Sequence, residues 1–201
     1  MFAKTPLRSV SRLVSLLFFT TLLLSCAHPA AGPRVEFSGD QGRPRVSIPE
    51  LEKRIHALIN KERKKNGLAP LEWSNRLSDI ARLHSKDMAK RNYFSHYSPE
   101  GRDFSYRYKA GGFSCEVRVG NIIYCGGENI FQNNLYDRVM IRDGKKFYDW
   151  NSLDKIAETT VKGWMHSPGH RKNILTPYFK SEGIGVSVSE DDEVLITQNF
   201  C

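Results

Sequence analysis

Helical periodicity fills the first part of this chain and strand periodicity closes it, and that order argues for an α+β fold rather than a wound parallel sheet. Two β-type runs, Gly183 to Ser189 and Glu193 to Phe200, flank Glu190-Asp191-Asp192 as a terminal hairpin. Upstream, Ser47-Ile48-Pro49-Glu50 reads as a helix start, with Ser as cap, Pro in the first turn and Glu at the capping-box position. Leu51, Ile55, Leu58 and Ile59 then recur at helical spacing until Asn66-Gly67. Ser74 caps a second helix, whose apolar face carries Leu77, Ile80, Ala81, His84 and Met88. A short helix is predicted over residues 103–110, and a longer one from Ser152 through Ile156, Val161 and Trp164 to Ser167-Pro168-Gly169. Residues 131–150 read as an insertion with a small hairpin turned at Asp143-Gly144, able to cover the cleft, extend it or meet a partner.

Residues 1–25 read as a lipoprotein-type signal peptide. Lys4, Arg8 and Arg12 precede the uncharged run Leu13 to Ser25, too short for a membrane span that wants about 20 apolar residues. That run ends in Leu23-Leu24-Ser25-Cys26, which resembles the bacterial lipobox and implies acylation at Cys26. The plainer reading is an ordinary secretory signal cut between Ala27 and Ala31. Residues 26–46, rich in Pro, Gly and charge, read as a flexible tether ahead of a domain at 47–201. The expected location is the cell envelope, at the outer membrane if the cell has two, since Ala27 supplies no acidic retention signal.

The formal charge is +8, but three of the cations lie in the signal peptide and the rest are dispersed. An exported chain without a basic stripe or aromatic platform is not expected to bind nucleic acid. Of the four cysteines, Cys26 is the lipid site. Cys115 and Cys125 flank two β-prone runs bent at Gly120, which predicts a Cys115–Cys125 disulfide. Cys201 is then free or bridged to another chain.

His96, Glu128 and His170 are the residues that could carry chemistry. Each lies in a loop among Ser, Pro or Gly, where a side chain is posed rather than packed. By contrast His84 reads as a hydrogen-bonded core residue and His56 as solvated.

Five blocks carry a resemblance. They are Phe94-Ser95-His96 with Ser98-Pro99-Glu100-Gly101; Gly127-Glu128-Asn129-Ile130; Trp164 through Leu175 (WMHSPGHRKNIL); Gly183-Ile184-Gly185-Val186; and Thr197-Gln198-Asn199-Phe200. Their order and spacing resemble the bacterial branch of the CAP superfamily, which joins cysteine-rich secretory proteins, venom antigens and plant pathogenesis-related proteins. The resemblance runs from about Leu51 to Phe200. It implies a three-layer α-β-α sandwich with a central antiparallel sheet and a cleft. In eukaryotic members two His and two Glu face that cleft, and zinc is associated with it. His96 matches the first His and Glu128 the first Glu. The second Glu falls on Ser167 and the second His on Leu195, so His170 is expected to fill the vacated space. Ser167 and Gln198 complete the expected lining.

The resulting expectation is an envelope lipoprotein whose CAP domain binds a lipid, peptide or cell-wall ligand without catalysis. The alternative is a zinc-dependent hydrolase, with His96 and His170 as metal ligands and Glu128 as the catalytic base.

Overall fold

The computed structural model describes residues 42–201. The expected signal peptide, Cys26 and the expected tether as far as residue 41 lie outside the described residues. In chain order the elements are α1 (Ile48–Lys65), β1 (Glu72–Trp73), α2 (Asn75–Arg91), α3 (Phe104–Ala110), β2 (Val117–Val119), β3 (Ile122–Tyr124), β4 (Gly127–Asn134), β5 (Tyr136–Arg142), β6 (Lys145–Trp150), α4 (Leu153–His166), α5 (Pro168–Ile174), β7 (Ser181–Val188) and β8 (Glu193–Phe200). Local chemistry sets most of the boundaries. Ser74 Oγ accepts from Leu77 N, Asp103 Oδ1 from Tyr106 N and Ser152 Oγ from Lys155 N, each satisfying an orphan amide of a first helical turn. Ser47 makes no side-chain cap; its carbonyl accepts from Leu51 N instead. Asn92, with φ of 51°, ends α2 in the left-handed region and turns the chain into the aromatic loop that carries His96.

β7, β8 and β4 form the expected antiparallel sheet, and the short β1 adds in parallel beside β7, in the order β1-β7-β8-β4. β4 is therefore an edge strand. Alternation along β8 assigns the layers. Val194, Ile196 and Phe200 join Leu51, Ile55 and Ile59 of α1 and Ile156, Val161 and Trp164 of α4 in the main core. Leu195, Thr197 and Asn199 face α2: Leu195 packs with Met88, Ser85 Oγ donates to Thr197 Oγ1, and Asn199 Nδ2 donates to Leu77 O. The sheet lies between α1, α4 and α5 on one side and α2 on the other, which is the α-β-α sandwich. Fully burying each large apolar side chain of that core stabilises it by roughly 1.5–3 kcal/mol. Gly183 and Gly185 let α2 lie directly on β7. A Cβ at Gly183 would stand 2.1 Å from Ser78 N, and one at Gly185 would stand 2.0 Å from Arg82 N.

Two sequence expectations need correction. The hairpin bent at Gly120 is present, but the disulfide joins Cys115 to Cys201, with Cα atoms 5.6 Å apart, and Cys125 is free and exposed. The hairpin register explains why. Val117 pairs with Tyr124 and Val119 with Ile122. One further step opposes Cys125 to Glu116, so Cys115 and Cys125 are offset by one residue and point to opposite faces. The second correction concerns the insertion. β4 continues through Asn134 as a full partner of β8, so residues 131–134 belong to the central sheet. The separate hairpin starts at Tyr136, and β5 and β6 form a two-stranded sheet of their own.

Candidate functional site at the sheet edge

The candidate site straddles β4, where elements from both faces of the sheet reach its free edge. Glu128 opposes Asn199 in the register and so points to the α2 side. Its carboxylate is almost fully buried and holds two partners. Arg107 Nη2 of α3 donates to Oε2 at 2.7 Å, and His96 Nδ1 lies 2.9 Å from Oε1. Arg107 also donates to His96 O at 3.0 Å, so one guanidinium fixes both the carboxylate and the loop that carries the imidazole. The His96 side chain is 43% exposed against 1% for Glu128. One side of the ring therefore meets solvent and the other a buried charge pair. His84, buried on α2, places Nε2 3.1 Å from Ser95 O and steadies the same loop. Burial lowers the His84 pKa; the Glu128 charge opposes that shift and the Arg107 charge adds to it.

His170 comes from the opposite layer, on α5. Its ring centroid lies 6.3 Å from that of His96. Partial burial lowers its pKa, and the neighbouring His96 lowers it further. The position of α5 is fixed from beneath. Arg63, fully buried, donates through Nη1 to Ile174 O at 2.7 Å and to Thr176 O at 2.9 Å. Asn173 Nδ2 donates to Glu128 O and to Asn129 Oδ1, and Asn129 Nδ2 donates to His170 O.

Asn129, next along β4, begins a mostly buried polar chain on the α1 side. Its Nδ2 also donates to Gln198 Oε1, and Gln198 Nε2 donates to Glu182 Oε2 at 2.5 Å. Glu182 Oε1 in turn lies 2.5 Å from His56 Nδ1.

His96 touches Glu128 and the His170 ring stands 6.3 Å from that of His96, but of the three only His96 lies in a loop as expected, since Glu128 is on β4 and His170 on α5. Ser167 is half-buried at the joint of α4 and α5, its backbone bonded to Trp164 O and Arg171 N. Gln198 does not line the cleft. It is fully buried in the chain just described, because β8 lies inside the sheet with both faces covered. His56, expected to be solvated, is half-buried against Glu182 and Trp73. Arg107 escapes a reading of the sequence, since two cations, Arg107 and Lys109, on a short helix look like a solvated face. Glu182 escapes it too, although its parity matches Ile184 and Val186, a signal that places a carboxylate on the core face and demands a partner.

The donor set does not fit zinc. Among the described residues, no three His, Cys, Asp or Glu side chains are grouped to hold a metal ion. His96 and His170 have no third such ligand among the described residues. Leu195, at the position of the family's second His, packs against Met88 and Ile130. The Glu128 carboxylate is occupied by the fixed cation of Arg107 and is not free to act as a base toward bound water. A cavity of about 290 Å³ opens on the α2–α3 side of this cluster, lined by His84, Ser98, Arg102, Tyr106 and Arg107 among others.

The model of the cysteine-rich secretory protein family matches residues 56–200. The chain is 37% identical over 140 residues to the uncharacterized protein YkwD of Bacillus subtilis, a match covering 69% of this chain and 43% of that protein. An extracellular Bacillus anthracis protein containing an SCP domain has a similar crystal structure, with a TM-score of 0.54 and 29% identity over 79% of this chain and 44% of that one. An outer surface protein of Borrelia burgdorferi shares the fold at 15% identity, with a TM-score of 0.57 over 79% of this chain and 97% of its own. The chain thus spans less than half the length of the two Bacillus proteins.

Proposed function

The chain belongs to the cysteine-rich secretory protein family, and from that membership we propose that it is an exported envelope protein, anchored by lipid at Cys26, whose domain binds a lipid, peptide or cell-wall ligand at the sheet edge without cleaving it. One observation carries the binding reading. The Glu128 carboxylate is locked between Arg107 and His96, which leaves a rigid polar rim with an exposed imidazole and no nucleophile paired with a base. Such a rim orients a ligand through the free side of His96, through His170 and through the Arg107 side of the adjoining cavity. The extracellular description of the Bacillus anthracis protein supports export. So does the apolar run ahead of Cys26.

The binding reading is tested by thermal shift and calorimetry against soluble peptidoglycan fragments, envelope phospholipids and short peptides. At least one class should bind wild type, and the His96→Ala/His170→Ala double variant should weaken that binding by about tenfold or more. Turnover of a bound ligand, or equal binding by the double variant, overturns the reading. The anchor is tested separately. Cys26→Ser should move the protein from the membrane to the soluble fraction, and unchanged retention overturns lipidation.

A further inference from the structure

We propose that the β5–β6 hairpin docks on the surface of an anionic lipid bilayer, with Val139 and Ile141 entering the acyl boundary and Arg142, Lys145 and Lys146 meeting the headgroup phosphates. The hairpin shares no ladder with the central sheet. Its turn, Asp143-Gly144, has both residues at positive φ (51° and 73°), the geometry of a tight two-residue connection, so the strands reach their ends as a stiff ribbon. Register places Val139 opposite Tyr148 and Ile141 opposite Lys146, on one face. Val139 and Ile141 share that face at 39% and 73% exposure, and Met140, exposed at 40%, pairs with Phe147 on the other.

Farther down the same face the side chains become aromatic. Tyr148 stacks on Trp150 with centroids 4.8 Å apart, and Tyr136 meets Tyr148 edge-on at 5.3 Å. One face therefore carries Val139, Ile141, Tyr148 and Trp150 with Lys146 near the turn, a surface suited to lying along the interface, while Arg142 and Lys145 pair on the other face at the tip, where long side chains reach the headgroups from the rim. Arg138 pairs with Asp137 and Asp149 in the stem, while Arg142, Lys145 and Lys146 lie within three residues of the turn with Asp143 between them and form no ion pair among the described residues. That excess of positive charge favours an anionic surface. It disfavours a second copy of the same hairpin, whose cations would repel.

The path of the chain supplies an independent reason. Arg43 pairs with Asp192 and donates to Ser189 O, while Leu135 N at the foot of the hairpin donates to Asp192 O. Arg43 to Val46 and Leu135 border one cavity of about 620 Å³. The polypeptide coming from Cys26 thus joins the domain at the root of β5. The sixteen residue steps from Cys26 to Gly42 span at most about 55 Å, and a seven-residue strand such as β5 is roughly 23 Å long. A lipid on Cys26 and the hairpin can reach the same bilayer. The inference relies on the anchored reading for that proximity alone.

The test uses residues 27–201, which contain every described helix and strand and the whole core but neither the signal peptide nor an acylated Cys26. Co-sedimentation is measured with phosphatidylglycerol/phosphatidylcholine vesicles and with phosphatidylcholine alone. Wild type should partition to the anionic vesicles, and 0.5 M salt should reduce binding. Val139→Asp/Ile141→Asp should weaken binding about tenfold or more with an unchanged melting curve. Arg142→Gln/Lys145→Gln/Lys146→Gln should do the same by removing the headgroup contacts. Absence of binding to anionic vesicles, equal binding to phosphatidylcholine alone, or full binding by either variant overturns the proposal. So does a lipid-free dimer that Ile141→Asp dissociates in analytical ultracentrifugation, which would assign the face to a second copy. Because the protein carries no acyl chain, failure here leaves the Cys26 anchor standing, and failure of the anchor leaves this measurement intact.

Discussion

Glu128 and Asn129 are neighbours on one strand, yet they serve opposite sides of the sheet in different ways. Glu128 turns its charge toward α2 and α3, where Arg107 neutralises it and His96 carries the contact out to solvent. Asn129 turns toward α1 and α5 and enters a closed relay through Gln198 to Glu182 and His56. The first arrangement is a charged pair with one wet end. The second is a mostly buried relay in which each member satisfies the next and whose outer end, His56, is half-buried. A buried relay rigidifies the sheet and makes any gap costly, whereas a locked charge pair with one exposed partner presents that partner's free side to water or ligand. The family motif spans both residues, but only the first offers a surface to anything outside the protein.

The comparison is most easily broken at its buried end. Glu182→Ala should destabilise the fold by about 3 kcal/mol or more in urea titration, because it strands Gln198 and half-buried His56 without their acceptor. A loss under about 1 kcal/mol would mean that water already reaches the relay. Glu128→Ala should cost a comparable amount, about 3 kcal/mol or more, because it strands the mostly buried Arg107, while His96 at the rim can turn to solvent. A double-mutant cycle between Glu128→Gln and Arg107→Gln should return a coupling of about 1 kcal/mol or more, and near-additivity would dissolve the proposed lock.

Acid sharpens the contrast by acting through the wet side. His84 and His170 both have folded pKa values below the ordinary 6.5, so the unfolded chain binds protons more readily than the folded one. Their contribution to stability is complete above pH 6.5 and is lost as pH falls below it. Melting temperature should decline on acidification from pH 7 to 5, and His84→Gln should flatten that decline. An unchanged slope in the variant would shift the effect to other groups.

Sequence patterns reveal a good deal of this, and unevenly. Helix caps at Ser74, Asp103 and Ser152 and the alternation of β8 are local signals, and local signals survive folding. The proximity of His96, Glu128 and His170 is legible only through the family blocks, since spacing alone does not say which loop, strand and helix share a sheet edge. The cysteine pairing depends on a one-residue offset in a three-residue ladder, below what turn chemistry can fix. Arg107 is hidden because its partner lies 21 residues away, across β2 and β3. The family motif carries Gln198 toward the cleft, while the two covered faces of β8 put it in the interior.

The smallest stability change, and the one that best separates rim from relay, is expected at His170. Its ring faces His96 across 6.3 Å, while the contact that locks its segment runs through its backbone carbonyl to Asn129. His170→Ala keeps that carbonyl and removes only the half-buried ring. It should therefore shift the unfolding midpoint by no more than about 0.5–1 kcal/mol. Asn129→Ala removes the donor beneath it and should cost about 1–3 kcal/mol, since Gln198, Asn173 and the His170 carbonyl all lose a partner. If the two positions are independent in function, His170→Ala should lower ligand affinity while leaving stability nearly untouched, and Asn129→Ala should do the reverse until the fold fails. Equal stability losses at both positions would place the His170 ring inside the relay, and the division drawn along β4 would have to move by one layer.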